Sequence, residues 1–217
     1  MNSPLPSLKA VFFDFDGTLA DSYPAITASV NHVRAYHGLP PLEEPEVRRQ
    51  VGRGPEYLLR HTVGNDDVAN DLARYRAHHP SVMEAGTRLF PGVAETLAAL
   101  KRRGLRLAVC SNKPVAFTKA LLAGFGLATQ IDLVLGPEDV PRPKPAPDML
   151  RTAMAWLRLT PAEVLYVGDM TVDIDSARQA GMAVWVVPSG SDSRDALEKA
   201  RPDRVLQNFP EIASLLG

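Results

Sequence analysis

The sequence predicts an α/β fold: a doubly wound, Rossmann-like parallel sheet with an all-helical cap inserted after the first strand. Three observations predict it. Short, continuous apolar runs recur along the chain. From residue 89 onward they alternate with helical patterns, the order that builds a parallel sheet with helices on both faces. Residues 20–88 carry helical patterns and no convincing strand. The core would then comprise residues 1–19 and 89–217, and the cap residues 20–88. A chain of 217 residues is long enough for one substantial domain with such an insert.

The strand candidates are "LKAVFFDF" (8–15), "LRLAVC" (105–110), "IDLVLG" (131–136), "EVLYVG" (163–168) and "AVWVV" (183–187). None alternates apolar with polar, which suits strands covered on both faces. "PGVAETLAALKRRG" opens with Pro91 and stops at Gly104, and "PVAFTKALLAGFG" repeats the pattern with Pro114 and Gly126. "PDMLRTAMAWLRL" and "VDIDSARQAG", closed by Gly181, complete the core helices. In the insert, "YPAITASVNHVRAYHG", "EPEVRRQVG", "GPEYLLRHTVG" and "DDVANDLARYRAHHPSVM" read as helices separated by Gly and Pro. The proline-rich "GPEDVPRPKPAPD" (136–148) reads as a structured loop stiffened by its prolines.

Composition narrows the function classes. The formal net charge of −1 lacks the clustered basic excess of a nucleic-acid binder. No apolar run approaches the length of a membrane span, and "MNSPLPSLKA" lacks the regions of a signal peptide. The single Cys110 excludes an internal disulfide framework. The expectation is a soluble cytoplasmic protein, monomer or homodimer, with no nucleic-acid or membrane partner.

The chemistry gathers at the strand ends, where open α/β sheets bind ligands. Asp14 and Asp16 follow the first strand, two residues apart and pointing the same way along an extended chain. Two crowded carboxylates do not both ionise cheaply without a cation. Hard divalent cations such as Mg²⁺ choose oxygen ligands of this kind. Gly17 permits the sharp turn that follows, and Thr18 adds a hydroxyl at the rim. "CSNKP" puts Ser111 and Asn112 at a strand-to-helix junction suited to phosphate. "GDMTVD" puts Asp169 at a strand end and Asp173 about one helical turn later. "RPKPAPD" holds Lys144 between two prolines on a restricted backbone. One Asp beside a Gly is commonly a loop cap. Four strand ends carrying D-x-D-G-T, S-N, K-P and G-D-x-x-x-D point to a site.

Formal charges show how these groups could cooperate. Four carboxylates against one Mg²⁺ and Lys144 leave roughly one negative charge, so such a site favours one protonated carboxyl. A carboxyl near a reacting oxygen serves as general acid and then base, which suits Asp16. Asp14 is then the nucleophile, forming an aspartyl-phosphate. Mg²⁺ and Lys144 stabilise charge on the transferring phosphoryl group.

With "DFDGTL" (14–19), "SNKP" (111–114), "KPAPD" (144–148) and "GDMTVD" (168–173), the chain resembles the phosphatase branch of the haloacid dehalogenase (HAD) superfamily over nearly its whole length. It looks most like the phosphoglycolate phosphatase group. The resemblance implies that Asp14 is nucleophile and metal ligand, and that Asp16 is acid/base and binds metal through its carbonyl. It implies that Ser111 and Asn112 hold phosphate and Lys144 bridges phosphate and nucleophile. It also implies that Asp169 binds Mg²⁺ with Asp173 supporting it, directly or through water. Dehalogenases of the superfamily lack the second aspartate of "DFD", so Asp16 argues against dehalogenation. Two departures stand out: "PSGSDSRDAL" replaces a Gly-Tyr-Gly type of loop, and Cys110 stands where many relatives have Thr.

In the insert, "RRQVGRGPEYLL" (48–59) resembles the family's specificity segment. Arg53 either reaches an anionic leaving group or is a solvated helix-end arginine. Cys110 reads as a small buried strand residue without a thiolate-activating pattern. His32, His37, His61, His78 and His79 lack metal-ligand spacing and read as surface residues. Trp156 and Trp185 fit packing positions, "KRR" (101–103) suits a helix C-terminus, and Asp132, Asp139, Asp148 and Asp175 read as loop or surface acids. The expected function is a Mg²⁺-dependent phosphatase acting on a small phosphorylated metabolite, phosphoglycolate first. Pyrophosphate or a sugar phosphate follows closely. The rivals are a β-phosphoglucomutase-like phosphomutase and a non-enzymatic binding or regulatory protein.

Overall fold

The computed structural model describes residues 8–64 and 68–216. Its centre is a six-stranded sheet built from β1 (Ala10–Phe13), β4 (Arg106–Cys110), β5 (Leu133–Leu135), β6 (Val164–Gly168), β7 (Ala183–Val186) and β8 (Arg204–Val205). A separate antiparallel pair joins β2 (Ala20–Asp21) to β3 (Arg88–Leu89). The large sheet has the order β5-β4-β1-β6-β7-β8 with every pair parallel. The chain leaves β1 toward β4 and β6 toward β7, so the order reverses between β1 and β6. Ligand crevices form at such a reversal.

Alternation along β1 explains why the strand is apolar throughout. Val11 and Phe13 face one core and Ala10 and Phe12 the other, all fully buried. The first core is closed by α5 (Val93–Arg102), α6 (Val115–Gly124) and α10 (Glu211–Leu215). The second is closed by α7 (Asp148–Leu157), α8 (Thr171–Ala180) and α9 (Arg194–Lys199). Gly181 ends α8 with φ 76°, a left-handed conformation that Gly adopts without Cβ strain.

Between β2 and β3 lie α1 (Tyr23–Tyr36), α2 (Glu44–Arg48), α3 (Pro55–Val63) and α4 (Val68–Met83). They share a third core, in which Ile26, Val30, Leu58, Leu59 and Tyr75 meet Phe117 of α6. The Asp66 and Asp67 that open the expected α4 pattern lie outside the described residues. No helix among the described residues is long and apolar enough to cross a membrane.

Several expectations need correction. The stretch read as strand-free contributes β2, too short to show a period. Trp156 is 73% exposed on the outer face of α7, whereas Trp185 is buried as expected. Cys110 is buried, and burial pushes its thiol up to about 12. Of the five histidines, His79 departs most from a surface position: it is fully buried. Its Nδ1 lies 2.9 Å from the Ser29 hydroxyl, and its ring stacks on Tyr75.

Burial, with help from the Lys113 cation, pushes His79 down to about 3. A histidine held neutral by the fold binds a proton more readily when unfolded. It therefore stabilises the fold fully above pH ~6.5 and progressively less as the pH falls toward 3. At pH 5 the penalty is about 2 kcal/mol by that linkage. His79→Gln should flatten the fall in urea-unfolding stability between pH 7 and pH 5 relative to the wild type. An unchanged slope would show that this histidine is not held neutral.

Candidate active site

Asp14 continues β1, its N–H donating to the Val167 carbonyl at 2.9 Å, so β6 fixes its position. One carboxylate oxygen accepts from the Phe15 N–H at 2.7 Å and the other lies 2.9 Å from Lys144 Nζ. Burial raises Asp14 to about 6, with the Lys144 ammonium opposing and Asp173 adding to the rise. Ser111, at the end of β4, places its hydroxyl beside the same carboxylate.

Lys144 is fully buried, with three acceptors around it: Asp14 at 2.9 Å, Asp173 at 2.7 Å and the Tyr166 hydroxyl at 2.9 Å. An ammonium has three N–H donors, so all are used. The two carboxylates more than offset the burial penalty and hold Lys144 protonated well above its ordinary range. Its segment is held by Asn112, whose Oδ1 accepts from the Lys144 N–H at 3.0 Å and whose Nδ2 donates to the Lys144 carbonyl at 2.9 Å. The same Nδ2 lies 3.0 Å from the Gly52 carbonyl, linking β4 to the segment between α2 and α3. The Asn112 side chain is therefore occupied by backbone, leaving its own backbone and Ser111 nearest to an incoming anion.

Asp169 follows β6 and is fully buried. Its Oδ1 accepts from Thr18 Oγ1 at 2.6 Å. Thr18, expected at the rim, is itself fully buried and serves Asp169. Asp169 Oδ2 is buried without a hydrogen-bond partner among the described residues. Burial, then Asp173 and Asp14, raise this carboxyl well above the usual carboxylate range.

Asp173, in the first turn of α8, has no oxygen to spare. Oδ1 faces Lys144 and the Tyr166 hydroxyl, and Oδ2 accepts from the Asp169 and Met170 N–H groups at 3.1 and 3.0 Å. Ligand oxygens of Asp14, Asp169 and Asp173 all fall within 4.8 Å of one another. With both Asp173 oxygens occupied, the bare Asp169 oxygen beside Asp14 is the part of this cluster that fits a divalent cation with oxygen preference.

Asp16 is turned toward the helical insert. It accepts from the Ser22 hydroxyl and pairs with Lys113 Nζ at 3.0 Å. Gly17 makes the turn with φ 86°, and its carbonyl accepts from Ser189 Oγ at 2.7 Å. Arg53 is exposed, its guanidinium 5.4 Å from the Tyr57 ring centre. The cleft beside it is lined by Gly52 and Gly54, and by Asp14, Asp16, Lys113, Tyr75 and Phe117.

Sequence reasoning missed three contributors. Lys113 lies within the quoted "SNKP", next to residues given a role, and only its pairing with Asp16 reveals it. Tyr166 sits inside an apolar strand, where its hydroxyl carries no pattern. The loop after β7 closes over Asp169 so tightly that a Cβ on Gly190 would overlap that carboxylate. It is tied to the insert by Arg48, which donates to the Ser189 and Gly190 carbonyls at 2.7 and 2.9 Å.

Residues 11–187 match a family described as haloacid dehalogenase-like hydrolase. The chain is 38% identical over 220 residues to a phosphoglycolate phosphatase of Rhodospirillum rubrum, covering 96% of this chain and 91% of that one. It is 32% identical to the phosphoglycolate phosphatase of Pectobacterium atrosepticum, covering 98% and 94%. Among solved structures, a predicted phosphoglycolate phosphatase from Haemophilus somnus superposes with a TM-score of 0.87 at 28% identity, covering 97% of this chain and 99% of that one.

Proposed function

The chain belongs to the haloacid dehalogenase-like hydrolases, and from that premise we propose how its own residues hydrolyse a small phosphate ester. The enzyme is a phosphomonoester hydrolase, and its relatives named phosphoglycolate phosphatase align over nearly the full chain. We take phosphoglycolate as the first substrate, with α1–α4 acting as a cap over the cleft. The observation that carries the residue assignment is the triangle of Asp14, Lys144 and Asp173. It aims a buried carboxylate out of β1 while an ammonium holds it from behind.

Asp14 attacks phosphorus, a P–O bond forms to its carboxylate, and the ester P–O bond breaks. Asp16 gives its proton to the leaving alkoxide. Water then attacks the aspartyl phosphorus while Asp16 takes its proton, and Asp14 leaves as carboxylate. Ser111 and the Asn112 backbone hold the non-bridging oxygens, and Lys144 keeps Asp14 in line. Asp173 acts through Lys144 and the backbone N–H groups of Asp169 and Met170. Asp14, the Asp16 carbonyl and Asp169 would hold the cation, which we take to be Mg²⁺ because the donors are all oxygen. A cation held by these residues would neutralise the carboxylates and supply electrostatic stabilisation to the transferring phosphoryl group.

Phosphate release from 2-phosphoglycolate should require Mg²⁺ and stop with chelator. Mg²⁺ should also raise the melting temperature, because it binds only the folded site. Asp169→Asn should lose that rise. Full release in excess chelator would overturn the metal assignment. No release from any small phosphoester by folded, Mg²⁺-loaded protein would overturn the function.

A further inference from the structure

Lys113 occupies the cleft without a place in the scheme above. Its side chain is 3% exposed and lies 3.0 and 3.4 Å from the two Asp16 carboxylate oxygens. Those contacts use at most two of its three N–H donors. The third has no hydrogen-bond acceptor among the described residues. Of the other cations near the cleft, Lys144 is committed to its three acceptors and Arg48 to the loop carbonyls, while Arg53 is exposed and lies against the Tyr57 ring.

A second polar group faces the same space. Tyr75 on α4 is 4% exposed and lines the cleft, and its hydroxyl makes no hydrogen bond among the described residues. The buried His79 ring, 5.1 Å away centre to centre, fixes the phenol from behind. The walls around these groups are Ile26, Leu58 and Phe117, which offer a substrate nothing but apolar surface.

We propose that Lys113 and Tyr75 bind the carboxylate of the leaving group and are the residues that set a preference for 2-phosphoglycolate over esters of uncharged alcohols. The proposal rests on the hydrolase reading, because that reading puts the ester oxygen beside Asp16. Asp16 must reach that oxygen to protonate it, and Lys113 is one hydrogen bond further on. Lys113 Nζ therefore lies within about two hydrogen-bond lengths, ~6 Å, of the oxygen that leaves. A carboxylate carbon two bonds from the ester oxygen falls inside that radius. An uncharged leaving group would leave the third ammonium donor and the phenol hydroxyl buried without a partner. Sites built to bond a polar group reject analogues lacking it for that reason.

The test compares kcat/KM for 2-phosphoglycolate with that for ethyl phosphate, which keeps the length and drops the charge. The wild type should favour 2-phosphoglycolate by roughly 10²-fold or more. Lys113→Met should shrink that ratio by about 10–100-fold, as expected for a lost charge-assisted bond, and Lys113→Arg should retain most of it. Tyr75→Phe should shrink the ratio by about 3–10-fold. If Lys113→Met slows both esters equally, the lysine only positions Asp16 and the subsite is refuted. The Arg and Phe variants carry the test if the Met variant does not fold.

Binding separates this proposal from the hydrolase reading. By calorimetry, Asp14→Asn protein should bind 2-phosphoglycolate tighter than ethyl phosphate, and adding Lys113→Met should remove the preference. Equal binding of the two esters would refute the subsite whatever the turnover. Selective binding by a wild type that releases phosphate from no ester would fault the hydrolase reading alone.

Discussion

Asp14→Asn is expected to lower phosphate release by about 10⁴-fold or more, since removing a nucleophile removes the covalent route itself. The fold should survive. The amide keeps the acceptor for the Phe15 N–H, and Lys144 keeps Asp173 and Tyr166. The melting temperature should therefore stay within about 5 °C of the wild type. Near wild-type release from Asp14→Asn would remove Asp14 from the chemistry.

Lys144→Met should cost both activity and stability. The ammonium is the only cation touching Asp14 and Asp173 among the described residues, and all three side chains are nearly or fully buried. Removing one partner of such a group leaves uncompensated buried charge, a loss of about 3–5 kcal/mol. The loss should depend on pH with a definite sign. Asp14 is already raised from 3.8 to about 6 with the lysine present, and removing the cation raises it further. A carboxyl raised in the fold binds its proton more tightly folded than unfolded. Relative to the wild type, the metal-free variant should thus lose least at low pH and progressively more as pH rises through 4 to 6 and beyond. Chemical unfolding across that range checks it, and stability equal to the wild type at pH 7 would contradict the account.

The legible parts of this protein are those whose physics is local. β1, β4 and β6 are buried on both faces, so they show as unbroken apolar runs. The motif carboxylates follow directly at their ends. β8 escaped because two residues carry no period. Its pairing with β7 supplies the reason it is extended. His79 looked like a surface residue because two adjacent histidines in a polar helix give no sign of which one faces inward. Ser29, fifty positions away, is what holds it inside.

The same limit applies to the site. Asp14, Asp169 and Lys144 stand in recognisable motifs. By contrast, the role of Arg48 exists only through its bonds to residues 141 and 142 positions further along. Thr18 was misplaced at the rim because its partner Asp169 is distant in sequence. Asn112 was expected to hold phosphate, and its side chain instead ties together two backbone segments.

The stereochemical course at phosphorus tests the central claim most directly. Hydrolysis of an isotopically chiral phosphate ester in labelled water distinguishes one displacement from two. Attack by Asp14 followed by attack of water inverts phosphorus twice, so the account predicts net retention. Net inversion would mean that water attacks the ester directly and that Asp14 never carries the phosphoryl group.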